Sequence, residues 1–304
     1  MKKNRLGQSN LYVSELGLGC MSLGTNVNKA KEIVTEAIDQ GINYLDTADL
    51  YDQGENEAIV GKSIKGKRDQ IILATKVGNH LNDDGSWFWH PSKAYIKEQV
   101  KRSLQRLETD YIDLYQLHGG TIDDPIDETI EAFEDLKQEG VIRYYGISSI
   151  RPNVIKEYVK RSSIVSVMMQ YSLLDRRPEE EMLNLLAENN ISVVTRGALA
   201  KGMLSDHAKK VIENKGRDGY LDYSYQELKD VVENLEQIDI SGQSLSATSL
   251  QYALHHKAVA SAVTGVSSVE QLKNNITITN SPKLTDADYQ KLQSITKAIT
   301  YQKY

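Results

Sequence analysis

Gly41–Tyr51 reads GINYLDTADLY. Its short apolar run, Ile42, Tyr44 and Leu45, stops at Asp46, and Tyr51 follows with a second carboxylate, Asp49, between them. A buried strand that ends in a carboxylate marks where the chain meets solvent, which in some folds is the rim of an active site. Taken alone, Asp46 reads as readily as a turn or helix cap. The decision rests on whether the pattern recurs.

It recurs with regular spacing. Before it, Lys29–Gln40 is predicted as an amphipathic helix closed by Gly41; after it, Asn56–Ile64 is helical and Ile71–Thr75 is a strand ending in Lys76. Lys93–Leu107, with Ser92 as N-cap, precedes the strand Tyr111–Leu117, which ends in His118. Asp124-Pro125 opens the next helix in cap-then-proline order, and Gly140 closes it. Val141–Ile147 ends in Ser148-Ser149, Ile164–Met169 in Gln170, and Ile191–Thr195 in Arg196, with helices around Pro152–Lys160 and Pro178–Glu188. A longer insertion, Leu204–Tyr225, precedes helices near Gln226–Gln237 and Ser246–His255. The strand Val259–Thr264, then Gly265 and two helical segments, finish the chain.

Counting Leu16–Leu18, eight strand candidates alternate with helices, which implies parallel βαβ units. Eight units in 304 residues suit a barrel that takes roughly 250 residues before insertions. The expected fold class is α/β: a (β/α)8 TIM barrel with a short N-terminal β-hairpin around Gly7–Asn10 and extra C-terminal helices, residues 1–304 forming a single domain. A doubly wound sheet of fewer strands is the alternative. Gly17 and Gly19 begin a dinucleotide-binding glycine pattern, but Ser22 stands where its third glycine belongs, so that signal is weak.

Composition narrows the function classes. The chain is 40% hydrophobic and 26% charged, with 36 basic against 42 acidic residues and no basic block, which argues against nucleic acid. A lone cysteine, Cys20, leaves no internal disulfide and no multi-cysteine metal site, and the histidines are scattered. The charged start MKKNRLGQSN lacks the apolar centre of a signal peptide, and no run approaches membrane-spanning length. A soluble, cytoplasmic protein is expected, a monomer by default, without membrane, metal or an obligatory protein partner.

In a barrel the C-terminal strand ends converge on one face, and that face carries the site. They read Asp46, Lys76, His118, Ser148-Ser149, Gln170, Arg196 and Gly265, with Tyr51 just beyond the second. A tyrosine hydroxyl, with a reference pKa near ~10, is a poor acid at neutral pH unless a neighbouring ammonium favours its phenolate. A carboxylate beside that lysine keeps the ammonium in place, and a histidine, neutral or charged, can orient a carbonyl oxygen. Such a set stabilises charge developing on a carbonyl oxygen as hydride reaches its carbon, then protonates it. No nucleophile is paired with a base, so acyl transfer fits poorly.

On these residues the chain resembles an aldo-keto reductase over nearly its whole length. The resemblance rests on GINYLDTADLY followed by GENE, on IILATKVG, YIDLYQLHGG, RYYGISS and VMMQYSLLDR, and on GVSSVEQLKNN, all in order. It implies a catalytic tetrad of Asp46, Tyr51, Lys76 and His118, with Tyr51 as acid–base residue, and a nicotinamide cofactor bound without a separate dinucleotide domain. Ser148 and Gln170 would hold the nicotinamide carboxamide, with Ser149 and Asp46 close by. Gly197, Leu199, Lys201 and Gly202 would lie along the cofactor, the last two at the pyrophosphate. Gly265, Ser267, Gln271 and Asn275 would lie toward the adenosine end. The function implied is NADPH-dependent reduction of aldehydes or ketones, small-molecule carbonyl substrates. A cofactor-binding redox sensor or regulatory subunit with little turnover is the alternative.

Two positions depart from the family pattern. Many relatives stack a tyrosine on the nicotinamide, whereas this chain has Arg196, which either stacks its guanidinium there or is a salt-bridged rim residue. The basic partner expected near Ser267 for a 2′-phosphate is less obvious, since Ser268 and then Lys273 follow; NADPH is favoured, with NADH as the alternative. Trp87-Phe88-Trp89-His90, in the loop Gly78–Pro91, reads either as a substrate wall formed by Trp87 and Trp89 or as rim packing. The insertion reads as a mobile lid or a solvated connector, Asp49 as structural or solvent-facing, Cys20 as a buried inert thiol, and Tyr301 and Tyr304 as tail residues without a role.

Overall fold

The computed structural model describes residues 1–82, 84–238, 240 and 242–302. Eight parallel strands close into a barrel: β1 Leu16–Gly19, β2 Tyr44–Asp46, β3 Ile72–Val77, β4 Ile112–Leu117, β5 Ile142–Ser148, β6 Ser166–Gln170, β7 Ser192–Arg196 and β8 Val259–Gly265. They pair in chain order, and β8 returns to β1. The intervening helices are α1 Val27–Asp39, α2 Glu55–Ile64, α3 Lys93–Leu107, α4 Ile126–Gln138, α5 Pro152–Arg161 and α6 Met182–Glu188. Between β7 and β8 lie α7 Ala208–Lys215, α8 Tyr225–Gln237 and α9 Leu245–Ala253; α10 Val269–Thr279 and α11 Asp286–Ser294 follow.

Every residue of β3 and of β4 is buried, as a parallel sheet covered on both faces requires. One apolar cluster fills the space between strands and helices. A second fills the barrel interior: Tyr44, Ile72, Ala74, Leu114, Met168, Val194 and Val263 meet Leu6, Leu11 and Val13. Those last three come from the N-terminal hairpin, in which Lys3–Arg5 pairs antiparallel with Tyr12–Ser14. Asn4 donates to the Ala260 carbonyl and the Gly7 amide to Ser192 Oγ, so the hairpin closes the end where β7 and β8 begin. Only the opposite end, where the strands finish, is left for chemistry.

The expected barrel, hairpin and C-terminal helices are all present, with departures in detail. Helix α1 begins at Val27 because the Asn26 side chain accepts from the Lys29 amide. Gly78–Pro91 is not a plain loop: Asn79–Leu81 and Trp87–Trp89 pair as a hairpin, in keeping with the strand propensity of aromatic residues. Pro178–Glu188 is not one helix. A single 3-10 turn, Arg177–Glu179, precedes α6, and the break falls at Glu181, whose φ of −152° departs from helical geometry; the Glu179 carboxylate accepts from Tyr171 (2.9 Å), Tyr289 (3.1 Å) and Arg176 (2.9 Å). The insertion contains α7, whose buried side is only Ala208 and Ile212, too little apolar signal to read as a helix. Asp124 does not cap α4; its carboxylate turns back to Thr121 and to Trp89. Tyr301 lies against the Arg177 guanidinium, 5.2 Å from its ring centre, and Tyr304 falls outside the described residues. No helix among the described residues is long and apolar enough to cross a membrane.

Near the closed end, Asp113 of β4 is wholly buried and accepts from Arg68 and Arg143, each at 2.7 Å, and from the Leu73 amide at 3.0 Å. Removing a buried carboxylate leaves two guanidiniums facing each other, though both reach solvent. Asp113→Ala should therefore destabilise the fold by about 2–3 kcal/mol, at or below the low end for broken buried pairs, measured by urea denaturation. An unchanged urea midpoint would contradict the role assigned to Asp113.

Candidate active site

Barrel register sets the site. Asp46, the last residue of β2, pairs with Ala74 of β3, and Lys76 pairs with Gln116 of β4. Ala74, Lys76, Gln116 and Asp46 belong to the alternating positions that face the interior. The small side chain of Ala74 leaves room beside Asp46 for the lysine head one pleat further along. Lys76 lies inside β3 rather than after it, one residue short of its end.

The Lys76 ammonium is wholly buried and has three N–H groups to satisfy. It donates to Asp46 Oδ2 at 2.6 Å, to the Thr47 carbonyl at 2.8 Å and to Tyr51 Oη at 3.4 Å. Burial alone would pull its pKa down, but Asp46 and Tyr51 raise it above the ordinary lysine value, so it stays charged. Burial pushes the Asp46 carboxyl up from the usual range, against the pull of Lys76 and of Gln116, whose amide reaches Asp46 Oδ1 at 3.2 Å. The Tyr51 ring meets the His118 ring edge-on, with centres 5.9 Å apart. The structure thus brings together all four residues expected to act as one set.

Burial first, then the charges of Lys76 and Arg196, push the His118 imidazole down to about 3, so of the two protonation states left open by the sequence it takes the neutral one. Its Nδ1 is buried without a hydrogen-bond partner among the described residues. Asp49 is buried, not solvent-facing, and the charge of Glu57 adds to burial in holding its carboxyl high.

Around the rest of the rim, Gln170 ends β6 and Arg196 ends β7. Gln170 Oε1 accepts from Arg196 at 2.7 Å, and its amide nitrogen donates to Tyr220 Oη at 3.1 Å. Ser148 ends β5; Ser149 is buried, and its hydroxyl accepts from the Arg151 amide. Gly197 begins a tight turn through Leu199 in which Ala200, Lys201 and Gly202 all have positive φ (45°, 57° and 93°), with Lys201 exposed. Gly265 ends β8, and a Cβ there would come within 2.6 Å of Ser22 Oγ. Beyond it, Gln271 Oε1 accepts from both the amide and the hydroxyl of Ser267, while Asn275 is buried and donates to Thr264 Oγ1. Beside His118, the Trp89 ring covers Gly78 and Gly119 closely enough that a Cβ would meet it at 2.6 and 3.3 Å, and its Nε1 donates to Asp124. Trp87 is exposed on the same face of that hairpin, while Phe88 stacks on His80 from the other.

Sequence reasoning missed Thr47, Gln116 and Tyr220. Gln116 was within reach, standing two residues before His118 on an alternating strand. Tyr220 carries no local signal, because its partner Gln170 is 50 positions away. Among the described residues no cluster of three or more histidine, cysteine or acidic side chains is placed to hold a metal ion. A hydroxyl and a carboxamide at the ends of β5 and β6, the unpartnered nitrogen of His118 and an exposed lysine beside Gly202 do suit a ligand that carries a carboxamide and phosphates.

The family model described as Aldo/keto reductase family matches residues 15–297. The chain is 61% identical over 304 residues to the uncharacterized oxidoreductase YqkF of Bacillus subtilis, covering 99% of this chain and 98% of that one. It is 30% identical to the NADH-specific methylglyoxal reductase of Escherichia coli, over 98% and 99% of the two chains. Among solved structures, the holo form of aldo-keto reductase AKR11C1 from Bacillus halodurans superposes with a TM-score of 0.92 at 58% identity, covering 100% of this chain and 99% of that one.

Because the folded-state pKa of His118 lies below its unfolded value of 6.5, the unfolded chain takes up the proton first. His118 therefore costs the fold stability as pH falls from about 6.5 toward 3, and none above that window. Carbon-13 NMR of the imidazoles should show the His118 ring neutral at pH 5. Titration near 6.5 would contradict its burial against Lys76.

Proposed function

This chain belongs to the aldo/keto reductase family, an oxidoreductase family that works with a nicotinamide cofactor, and on that premise we propose that it is an NADPH-dependent reductase of aldehydes or ketones, acting as one domain over residues 1–304. The observation that carries the reading is the buried Lys76 ammonium joining Asp46 and Tyr51 at the open end of the barrel, with a neutral His118 beside the tyrosine.

Carbonyl reduction needs hydride at carbon and a proton at oxygen; a bound reduced nicotinamide would supply the hydride. Tyr51 gives its hydroxyl proton to the carbonyl oxygen as the C=O π electrons become the new O–H bond. Lys76, 3.4 Å from that hydroxyl, stabilises the phenolate left behind, and Asp46 holds the ammonium in place. Neutral His118 can donate a hydrogen bond to the same carbonyl oxygen without placing a second cation beside Lys76. The alcohol leaves, and Tyr51 regains a proton from solvent.

For the cofactor, Ser148, Ser149 and Gln170 would take the carboxamide, Arg196, Gly197 and Leu199 the side of the ring and ribose, Lys201 and Gly202 the pyrophosphate, and Gly265, Ser267, Gln271 and Asn275 the adenosine end. A ligand carboxamide reaching Gln170 competes there with Tyr220 or Arg196. NADPH is preferred over NADH because hydroxyls at the start of α10 suit a phosphate. The Escherichia coli relative named as NADH-specific makes NADH the alternative. Trp87 and Trp89 would form an apolar wall for the substrate.

Tyr51→Phe should lower kcat by about 10²–10⁴-fold, the usual worth of a positioned proton donor, while NADPH affinity by fluorescence titration changes little. Near wild-type kcat in that variant would remove Tyr51 as the acid. Steady-state comparison of the two cofactors should favour NADPH, and a tenfold preference for NADH would overturn that choice. NADPH binding without turnover across a panel of aldehydes and ketones would indicate a cofactor-binding sensor instead.

A further inference from the structure

Tyr51 is followed by an unusual piece of backbone. Asp52 (φ 48°), Gln53 (φ 56°) and Gly54 (φ 90°) are all left-handed, and only the last is glycine. Non-glycine residues hold such a conformation only where their surroundings over-determine it. One side chain is placed to do so. Asn56, in the first turn of α2, is wholly buried, and both ends of its amide are engaged. Its nitrogen donates to Asp52 Oδ2 at 3.3 Å, within the left-handed turn, and to the Cys20 carbonyl at 2.9 Å, just after β1. Its oxygen accepts from Thr47 Oγ1 at 2.7 Å, just after β2.

Thr47 is the residue whose carbonyl accepts from Lys76 Nζ. Its amide is also fixed, donating to the Ala74 carbonyl of β3 at 2.9 Å. One buried amide therefore joins the turn that carries Tyr51, the carbonyl that holds the ammonium, and the end of the neighbouring strand. No local sequence rule calls for an asparagine here, since α2 takes no side-chain cap from its N-cap residue, Gly54.

We propose that Asn56 is a positioning residue for proton transfer: through Thr47 and Asp52 it sets the Tyr51 hydroxyl against the Lys76 ammonium. The inference rests on the reading of Tyr51 as acid and Lys76 as its partner. Misplacing a proton donor by an ångström weakens the chemical step while leaving distant binding contacts intact. A residue that merely stabilised the fold would instead lower melting temperature and cofactor affinity together.

The test uses the full chain, with NADPH and an aromatic aldehyde such as 4-nitrobenzaldehyde, and four variants: Asn56→Ala, Thr47→Val, Thr47→Ser and Tyr51→Phe. Asn56→Ala should lower kcat by roughly 10- to 100-fold, with aldehyde KM and NADPH affinity little changed and the alkaline limb of the kcat–pH profile displaced. Thr47→Val, which keeps the carbonyl but loses the hydroxyl, should show the same kcat-selective loss to a smaller degree. Thr47→Ser should recover most of it; these two decide the matter if Asn56→Ala does not fold. Wild-type kcat in folded Asn56→Ala, wild-type kcat in Thr47→Val, or parallel losses of kcat and NADPH affinity with an unmoved pH profile, would overturn the proposal. Activity retained in Tyr51→Phe would sink the underlying reading instead, so the two failures are distinguishable.

Discussion

An ammonium removed from water is tolerable only when its charge is balanced and its hydrogens are received. Lys76 meets both conditions at one place, with Asp46, the Thr47 carbonyl and Tyr51 as its acceptors. Three successive stretches of chain must agree for that to happen: the end of β2, the turn carrying Tyr51, and the inward face of β3. The same interaction supplies the chemistry. A charged group held in a dry, preorganised setting acts on a developing phenolate far more strongly than it would in water. Burial first, and then the nearby Lys76 charge, keep His118 neutral.

The rest of the molecule protects that arrangement from both ends. The N-terminal hairpin fills the far mouth of the barrel with Leu6, Leu11 and Val13, so apolar side chains pack the interior below the site. Asp113 ties Arg68 and Arg143 across the bottom, a stabilising device well apart from the chemistry. At the open end, the aromatic hairpin after β3 covers the glycines beside His118, and Tyr220 from the insertion reaches back to Gln170. The rim is thus assembled from segments far apart in sequence.

Much of this was legible in the residues. The strand count followed from alternation, and the boundaries of α3 followed from Ser92 and the apolar period. Asp46, Lys76 and His118 stood out because each ionisable group ends or nearly ends an apolar run. Other features were not legible, for identifiable reasons. The aromatic hairpin after Gly78 carries too few residues for its alternation to separate strand from cluster. Asp49 looks solvent-facing beside Asp46, and only three-dimensional packing buries it behind the lysine strand with Glu57. The break before α6 falls at Glu181, where the backbone leaves helical geometry with no glycine or proline in the sequence to mark it.

The amino-acid sequence by itself determined the number and order of the strands, the barrel they close, and which ionisable residues stand at their open ends. Those properties follow from local periodicity and from where an apolar run gives way to a charge, and both can be read along the chain. Tertiary structure alone decided which atoms meet: the Thr47 carbonyl and Gln116 completing the Lys76–Asp46 pair, the neutral state of His118, and the grip of Tyr220 and Arg196 on Gln170. Those depend on the register between neighbouring strands and on loops that converge from distant positions. Electrostatic energy depends on distance and burial in space, neither of which spacing along the chain encodes.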